Sequence, residues 1–545
     1  MNARPPPLPS FYYVQNFAAA IECLVRRDHD LFDKAQATFV AAFSRRPLPE
    51  QALIVRMALR RGPYYRGSSL RYPELDDPAP HLAALQQAGW VTDDPVVDAA
   101  VLIAALPVTW LAEGFRLRRM RTLSKSRMCL QAQEMYPEQL PLSCTHFRLT
   151  DGLYEFLHYQ TCRSLCALYF GNHHQDWSEY VVTDLGIRRY ERVQLDTASR
   201  PFASRAEVDL FQDLYRCQEL LDSQSALAAL ARLPPAVAGC DWLVERHRHL
   251  SLRIARQLER EGETGSALEV YERVSSPESE QRRRIVSRRL GSGAAARPRF
   301  DHRAVPHFEI ELHRDCNARI EYHVAEELRR QAPDSEVIYA ENRLINSLFG
   351  LIFWHVIFAP VRGAFFHPFH AAPADLYSPQ FCIRRHVAID AALGLLEGPD
   401  YVNIIRECFH AKRGLLNPFV AWGWLRAAVM EGALRCIPAV DLRRIFEWML
   451  ADLERNTTGF PDLLQMWPAE RRYRLVEVKL GADRLQLNQR RFLRHAQEQG
   501  IPVSVCYASR PAPEQRSSRA HSPAKRAGQS LELFPDAQDH PAPSY

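Results

Sequence analysis

The sequence predicts a multidomain α+β chain, mostly helical in its N-terminal regions and mixed α/β towards its C-terminus. Three observations carry that expectation. At 545 residues the chain exceeds what one hydrophobic core organises, which sets an expectation of three or four domains. Apolar residues recur at spacings of three and four through most of residues 12–290, the signature of amphipathic helices. Beyond residue 460 the pattern changes to two extended runs, a helix and a third extended run.

Composition supports a globular chain, with 47% hydrophobic and 24% charged residues. The formal net charge of +5 is too small to demand a polyanionic partner, so any such partner has to be met by local basic clusters. Twelve cysteines occur without a C-x-x-C pair, and they read as reduced core thiols rather than as a zinc site. The N-terminus MNARPPPLPSFYYVQ lacks the apolar stretch of a signal peptide, which makes the cytoplasm the expected location. The longest apolar segments, AAVLIAALPVTWLA and LINSLFGLIFWHVIF, are interrupted by Pro107 and by Asn346, Ser347 and His355, so both are expected as buried helices and no membrane is implied.

Residues 1–100 are expected to form a helical domain, in which Arg56 and Arg60 share one helix flank. A phosphate-contacting face and a solvated face both fit that flank. The span GFRLRRMRTLSKSRMCL gathers Arg116, Arg118, Arg119, Arg121, Lys125 and Arg127, a density that favours contact with a polyanion. Residues 141–295 read as paired helices, and around Gly262, Ala267, Leu268 and Tyr271 they are similar to a tetratricopeptide unit. The basic, Gly/Ala-rich stretch ending near residue 295 marks the main internal boundary. Residues 511–545 are Pro/Ser/Ala-rich without periodicity and are expected as a disordered tail.

The chemistry concentrates in GFPDLLQMWPAERRYRLVEVKLGADRLQLNQ. Pro461 starts an extended run and WPAERR turns the chain back, giving a hairpin. Residues two apart in a strand share a face, so Glu477 and Lys479 point together while Val478 points into the core. Asp462, Glu477 and the Val478 carbonyl offer hard oxygen ligands to Mg²⁺ or Mn²⁺, and Lys479 supplies positive charge beside a phosphate. A surface ion pair on a hairpin accounts for the same residues without chemistry. The chain has five lysines among 69 basic residues, which makes a lysine here less expected as filler. A further carboxylate is expected from Glu341, which opens an apolar helix and equally suits an N-terminal cap. Glu321, Glu326 and Glu327 are additional acidic candidates, the last two on a solvated face.

These residues, together with EYHVAEELRRQ, YAENRLINSLFGLIFWHVIF, PADLYSPQFCIRR, YYVQNFAAAIECLV and QALIVRMALRRG, resemble the Fanconi-associated nuclease family in its bacterial form. The resemblance implies a restriction-endonuclease-like VRR-NUC nuclease region over residues 296–510. It also implies N-terminal DNA-binding helices and a degenerate SAP-like element over 101–140 ahead of the tetratricopeptide-like domain. It implies a structure-selective 5′-flap endonuclease with 5′→3′ exonuclease activity, a phosphodiesterase I-type hydrolase acting on branched DNA in interstrand-crosslink repair. Glu341, Asp462, Glu477 and Val478 would hold Mg²⁺ or Mn²⁺, two ions per site. Lys479, Glu477, Asp462 and Gln489 would carry catalysis, with Gln489 orienting the site or touching phosphate. Two rival readings remain open at this stage: a catalytically silent scaffold binding branched DNA, and an adaptor that takes protein partners through its tetratricopeptide-like helices.

Overall fold

In the computed structural model the described residues are 9–509 other than 61, 115–123, 173–174, 176–178, 181–182, 184–185, 224, 235–240, 275, 290–304, 313–318 and 482. Arg116, Arg118, Arg119, Arg121 and the expected tail over 511–545 therefore lie outside them. The chain divides into two compact units: Met1–Ala294 with Pro360–His370, and Ala295–Ala359 with Ala371–Tyr545.

The first unit is chiefly helical. Tyr12–Asp28, Lys34–Phe43 and Leu48–Ala58 bury Phe17, Phe39 and Leu53 in its principal core. Asp33 begins the second of these with a reciprocal cap, accepting from the Gln36 N–H while Gln36 accepts from its own. A small antiparallel sheet of Tyr64–Arg66, Leu153–Phe156 and Val91–Thr92 sits among the helices. Strands of two to four residues are too short for an alternating pattern to show in sequence. Pro107 separates Ala99–Ala105 from Val108–Gly114, and with Lys125–Met135 these bound a separate core of Leu102, Leu111, Met128 and Phe147. The paired helices expected in this part of the chain are present as Arg205–Ser223 with Ala226–Arg232 and Asp241–Glu261 with Thr264–Arg273. Gly262 turns the second pair at φ 87°, a conformation that only glycine adopts without strain.

The second unit is built on a five-stranded mixed sheet in the order His307–Glu311, Val503–Ser509, Arg472–Leu480, Leu463–Trp467, Glu336–Tyr339. The first three strands run parallel, and the hairpin partner and the edge strand pair antiparallel. Strand, strand, helix Leu487–Gln499, strand is the order expected from sequence. Alternation sorts the side chains onto two covered faces. Leu463, Val476 and Val478 meet Val324, Ala325 and Leu328 of the helix Ile320–Gln331. Leu464, Met466, Tyr473 and Leu475 join a larger core with the helices Glu341–Ile352, Ala427–Cys436, Ala439–Ala451 and Leu487–Gln499. Glu477 and Lys479, odd-numbered like Tyr473 and Leu475, belong to that second face. The long apolar helix expected from Glu341 onward is buried but breaks at Phe353, continuing as Trp354–Ile357. The ten cysteines among the described residues are all free. Among the described residues no helix is long and apolar enough to cross a membrane.

Candidate active site

The hairpin register pairs Leu463 with Val476, so Asp462, one residue earlier, stands opposite Glu477. The Val478 N–H donates to Asp462 Oδ2 at 2.8 Å, which ties the two strands through the side chain itself. Glu477 is 1% exposed and Lys479 9%, so the hairpin charges are buried, not surface decoration. Lys479 Nζ lies 2.6 Å from Glu477 Oε1. That pair occupies Oε1, while Oε2 has no hydrogen-bond partner among the described residues. A buried carboxylate oxygen left in that state is costly.

The electrostatics follow from burial. Desolvation pushes the Glu477 carboxyl up to about 8, the Asp462 charge adding to it and Lys479 opposing. Desolvation also raises Asp462 to about 6 against the Val478 N–H, which holds the ionised form, and the charges of Glu321 and Glu341 push the same way as burial. Two adjacent buried carboxyls displaced upward are the mark of a site that expects positive charge.

Glu341 enters from the edge strand. The Asp462 carbonyl accepts from the N–H groups of both Ala340 and Glu341, at 2.8 and 3.0 Å, and the Tyr339 hydroxyl donates to Glu341 Oε2 at 2.5 Å. Glu341 holds φ at 33°, a left-handed value that costs a non-glycine residue of order 1–3 kcal/mol. An ordinary helix start needs no such strain; here it accompanies a carboxylate fixed beside the hairpin. The loop leading to Asp462 is held by Asn342, whose Oδ1 accepts from the Gly459 and Phe460 N–H groups at 2.9 and 3.1 Å. Asn346 donates to the Thr457 carbonyl at 2.8 Å.

The remaining sequence candidates are placed as follows. Gln489 Oε1 accepts from the Gln486 N–H at 2.8 Å, capping the helix Leu487–Gln499. Glu327 pairs with Arg330, and Glu326 is exposed. Arg56 is committed to Glu74 at 2.5 Å and lies over the rings of Tyr13 and Tyr72. Arg60 donates to Ser69 Oγ and O at 3.1 and 2.7 Å. Lys125 donates to the Ala104 carbonyl at 2.9 Å, and Arg127 is exposed. Tyr339 and Asn342 were missed from sequence. They flank Glu341 within YAEN, but only the tertiary structure shows what they hold.

Among the described residues no three His, Cys, Asp or Glu side chains converge closely enough to ligate an ion. Lys479 draws Glu477 one way, the Val478 N–H draws Asp462 another, and like charges repel. The donor set nonetheless suits a hard divalent cation, being all oxygen and including a buried Glu477 Oε2 without a hydrogen-bond partner among the described residues.

Family models match at both ends of the chain: the VRR-NUC domain over residues 399–510 and the FAN1, HTH domain over residues 11–92. The Fanconi-associated nuclease 1 homolog of Pseudomonas aeruginosa is 38% identical over 543 residues, spanning 92% of this chain and 96% of its own. The chain belongs to the Fanconi-associated nuclease family. Its membership makes it a nuclease, a hydrolase with a VRR-NUC domain. The Arabidopsis thaliana homolog in this family is 23% identical over 91% of this chain and 66% of its own length. The crystal structure of paFAN1 bound to 2-nt 5′-flap DNA with a gap matches with a TM-score of 0.80 at 36% identity, covering 93% of this chain and 100% of that one. The form bound to a 1-nt flap matches with a TM-score of 0.78.

Proposed function

We propose that this nuclease is selective for branched DNA bearing 5′ flaps, cutting endonucleolytically and degrading 5′→3′, and that it serves interstrand-crosslink repair. The observation that carries the hydrolytic reading is the buried, hydrogen-bond-deficient Glu477 carboxylate between Asp462 and Lys479. The flap preference rests on likeness to paFAN1, whose structures hold 5′-flap DNA. Glu341, Asp462, Glu477 and the Val478 carbonyl are the residues suited to hold Mg²⁺ or Mn²⁺, two ions in this reading. Such ions, when bound, supply a water of lowered pKa and charge neutralisation on phosphate.

The chain's own part is positional and electrostatic. Asp462 and Glu477 give up their protons before ligating, which their raised pKa values make pH-dependent. Lys479 offsets the charge that grows as water oxygen bonds to phosphorus and the bond to the leaving oxygen breaks. Tyr339 fixes the Glu341 carboxylate, and Asn342 fixes the loop that carries Asp462. Gln489, its Oε1 engaged in capping, sets the helix that flanks the cleft. The helical regions before residue 296 bring the DNA, with Arg127 and the basic span at 118–121 as contacts. We place the enzyme in the cytoplasm, on the nucleoid when acting. No protein partner is assigned to its tetratricopeptide-like helices.

The test is cleavage of an end-labelled 5′ flap with Mn²⁺ or Mg²⁺, beside Glu477→Gln. Wild type is expected to cut and the variant to bind without cutting. Wild type that binds flaps yet cuts no substrate with either ion would establish the silent scaffold instead.

A further inference from the structure

At the turn end of the catalytic hairpin lies a second basic feature. Arg406, Glu431, Arg435 and Arg471, together with Val402 and Leu434, line a pocket of about 270 Å³. Arg406 is already spoken for: its Nε and an Nη reach the two Glu431 oxygens at 2.7 and 2.6 Å. That pairing holds the Glu431 carboxyl below its ordinary range. Arg435 and Arg471 are exposed and make no side-chain hydrogen bond or ion pair among the described residues. The pocket thus presents three guanidiniums against one carboxylate, with Arg435 acting on Glu431 through charge alone and Arg471 without a hydrogen bond or ion pair among the described residues.

Arg471 adds a second, independent observation. It holds φ at 51°, and among the described residues the other non-glycine with positive φ is Glu341, at the opposite end of the same strand pair. Its turn closes through the Glu470 N–H to the Trp467 carbonyl at 3.1 Å. Glycine meets that backbone freely, whereas an L side chain costs roughly 1–2 kcal/mol there. An arginine standing where glycine is cheaper points to use of its side chain.

Resting on the nuclease reading above, we propose that this pocket binds the phosphodiester backbone of the substrate duplex at a fixed distance from the scissile bond. Planar guanidinium forks match phosphate oxygens. The helix Ala427–Cys436, which carries Arg435, packs in the same core as Tyr473 and Leu475, on the sheet face to which Glu477 and Lys479 belong. From Asp462 to Trp467 the strand rises about 17 Å at ~3.3 Å per residue. Phosphates on one strand follow every ~3.4 Å along the duplex axis, so on a duplex lying along the hairpin the pocket reaches a phosphate about five positions from the cut.

The experiment uses the full chain, a fluorescent 5′-flap DNA with Ca²⁺ in place of the reactive ion, and a salt titration of affinity for wild type, Arg471→Gly and Arg435→Ala. Arg471→Gly is expected to melt at an unchanged or higher temperature while binding several-fold more weakly. The slope of log affinity against log salt should flatten by ~0.9 for each phosphate that the variant no longer neutralises. Both effects should disappear once the duplex arm is trimmed below about five base pairs from the cut. Unchanged slopes on long arms, with wild type cutting normally, would overturn this site and leave the proposed function standing. Effects that persist on the shortest arm would overturn its placement as a distant backbone contact. A wild type that neither binds nor cuts flaps would take both readings down together.

Discussion

Glu477 sits where a carboxylate is least comfortable, and that discomfort has a measurable sign. Its pKa in the folded chain, raised to about 8, exceeds that of the unfolded chain, so between the two the native state binds the extra proton. Stability from this group is therefore highest at low pH and declines as pH rises through that window. In EDTA, Glu477→Gln should remove the slope: the variant should melt several degrees above wild type at pH 9, and the gap should close near pH 4. Thermal melts across that range check it, and parallel pH profiles for the two proteins would show that the carboxyl is not burdened by burial. Adding Mn²⁺ reverses the comparison, because a ligand that binds only the native state stabilises it; wild type gains and Glu477→Gln does not. Asp462→Asn and Glu477→Gln should each slow cleavage at least a hundredfold, since charge stabilisation worth several kcal/mol is lost, while flap affinity in Ca²⁺ stays within a few-fold. Lys479→Ala should lower the single-turnover rate with Mn²⁺ affinity largely retained. An unchanged rate would remove Lys479 from the chemistry.

The hairpin was legible in the sequence because its determinants are local: Pro461 starts a strand, alternation fixes the faces, and Gly500 ends the following helix in the left-handed conformation at φ 70°. Its depth was not legible. Alternation says which residues share a face, but only packing on both sides by helices distant in sequence makes Glu477 and Lys479 buried. For the same reason a cap and a metal ligand both stood open for Glu341 in the sequence; its φ of 33° and the Tyr339 hydroxyl show how its carboxylate is held in place. Asn342 and Gly459 form the joint between helix and hairpin. A Cβ on Gly459 would lie 2.5 Å from the Asn488 carbonyl carbon, and its φ is 93°, so alanine there must shift backbone and accept strain of roughly 1–3 kcal/mol. Gly459→Ala should lower the urea midpoint and displace Asp462. Asn342→Ala, which leaves two N–H groups without their acceptor, should lower kcat with little change in flap KM, and Asn342→Asp should restore part of it. Equal loss in kcat and binding affinity would mean that Asn342 merely supports the fold.

Chain order and spatial grouping diverge at one place. Composition marks a single main boundary near residue 295, yet Pro360–His370, far beyond that boundary, groups with the first unit. Phe366 and Phe369 join the N-terminal core, the Gly363 N–H donates to the Ser199 carbonyl at 3.0 Å, and the Arg27 guanidinium donates to the Phe366 carbonyl. Arg27 and its partner Asp28 are themselves wholly buried. Apolar periodicity marks such residues as core without saying whose core they join. A cut at 294/295 therefore does not separate two self-sufficient domains. Burying a phenylalanine is worth about 1.5–3 kcal/mol, and the C-terminal piece would carry Phe366 and Phe369 with nothing to bury them against, while the N-terminal piece would lose the acceptor of a buried arginine. Expressed separately, 1–294 should melt below the corresponding transition of the intact chain. Amides of 360–370 should exchange orders of magnitude faster in 295–545 than in the whole protein. Adding the two pieces together should restore protection. Equal protection in the isolated C-terminal piece would show that the segment is ordered by its own neighbours, and the boundary read from sequence would then stand.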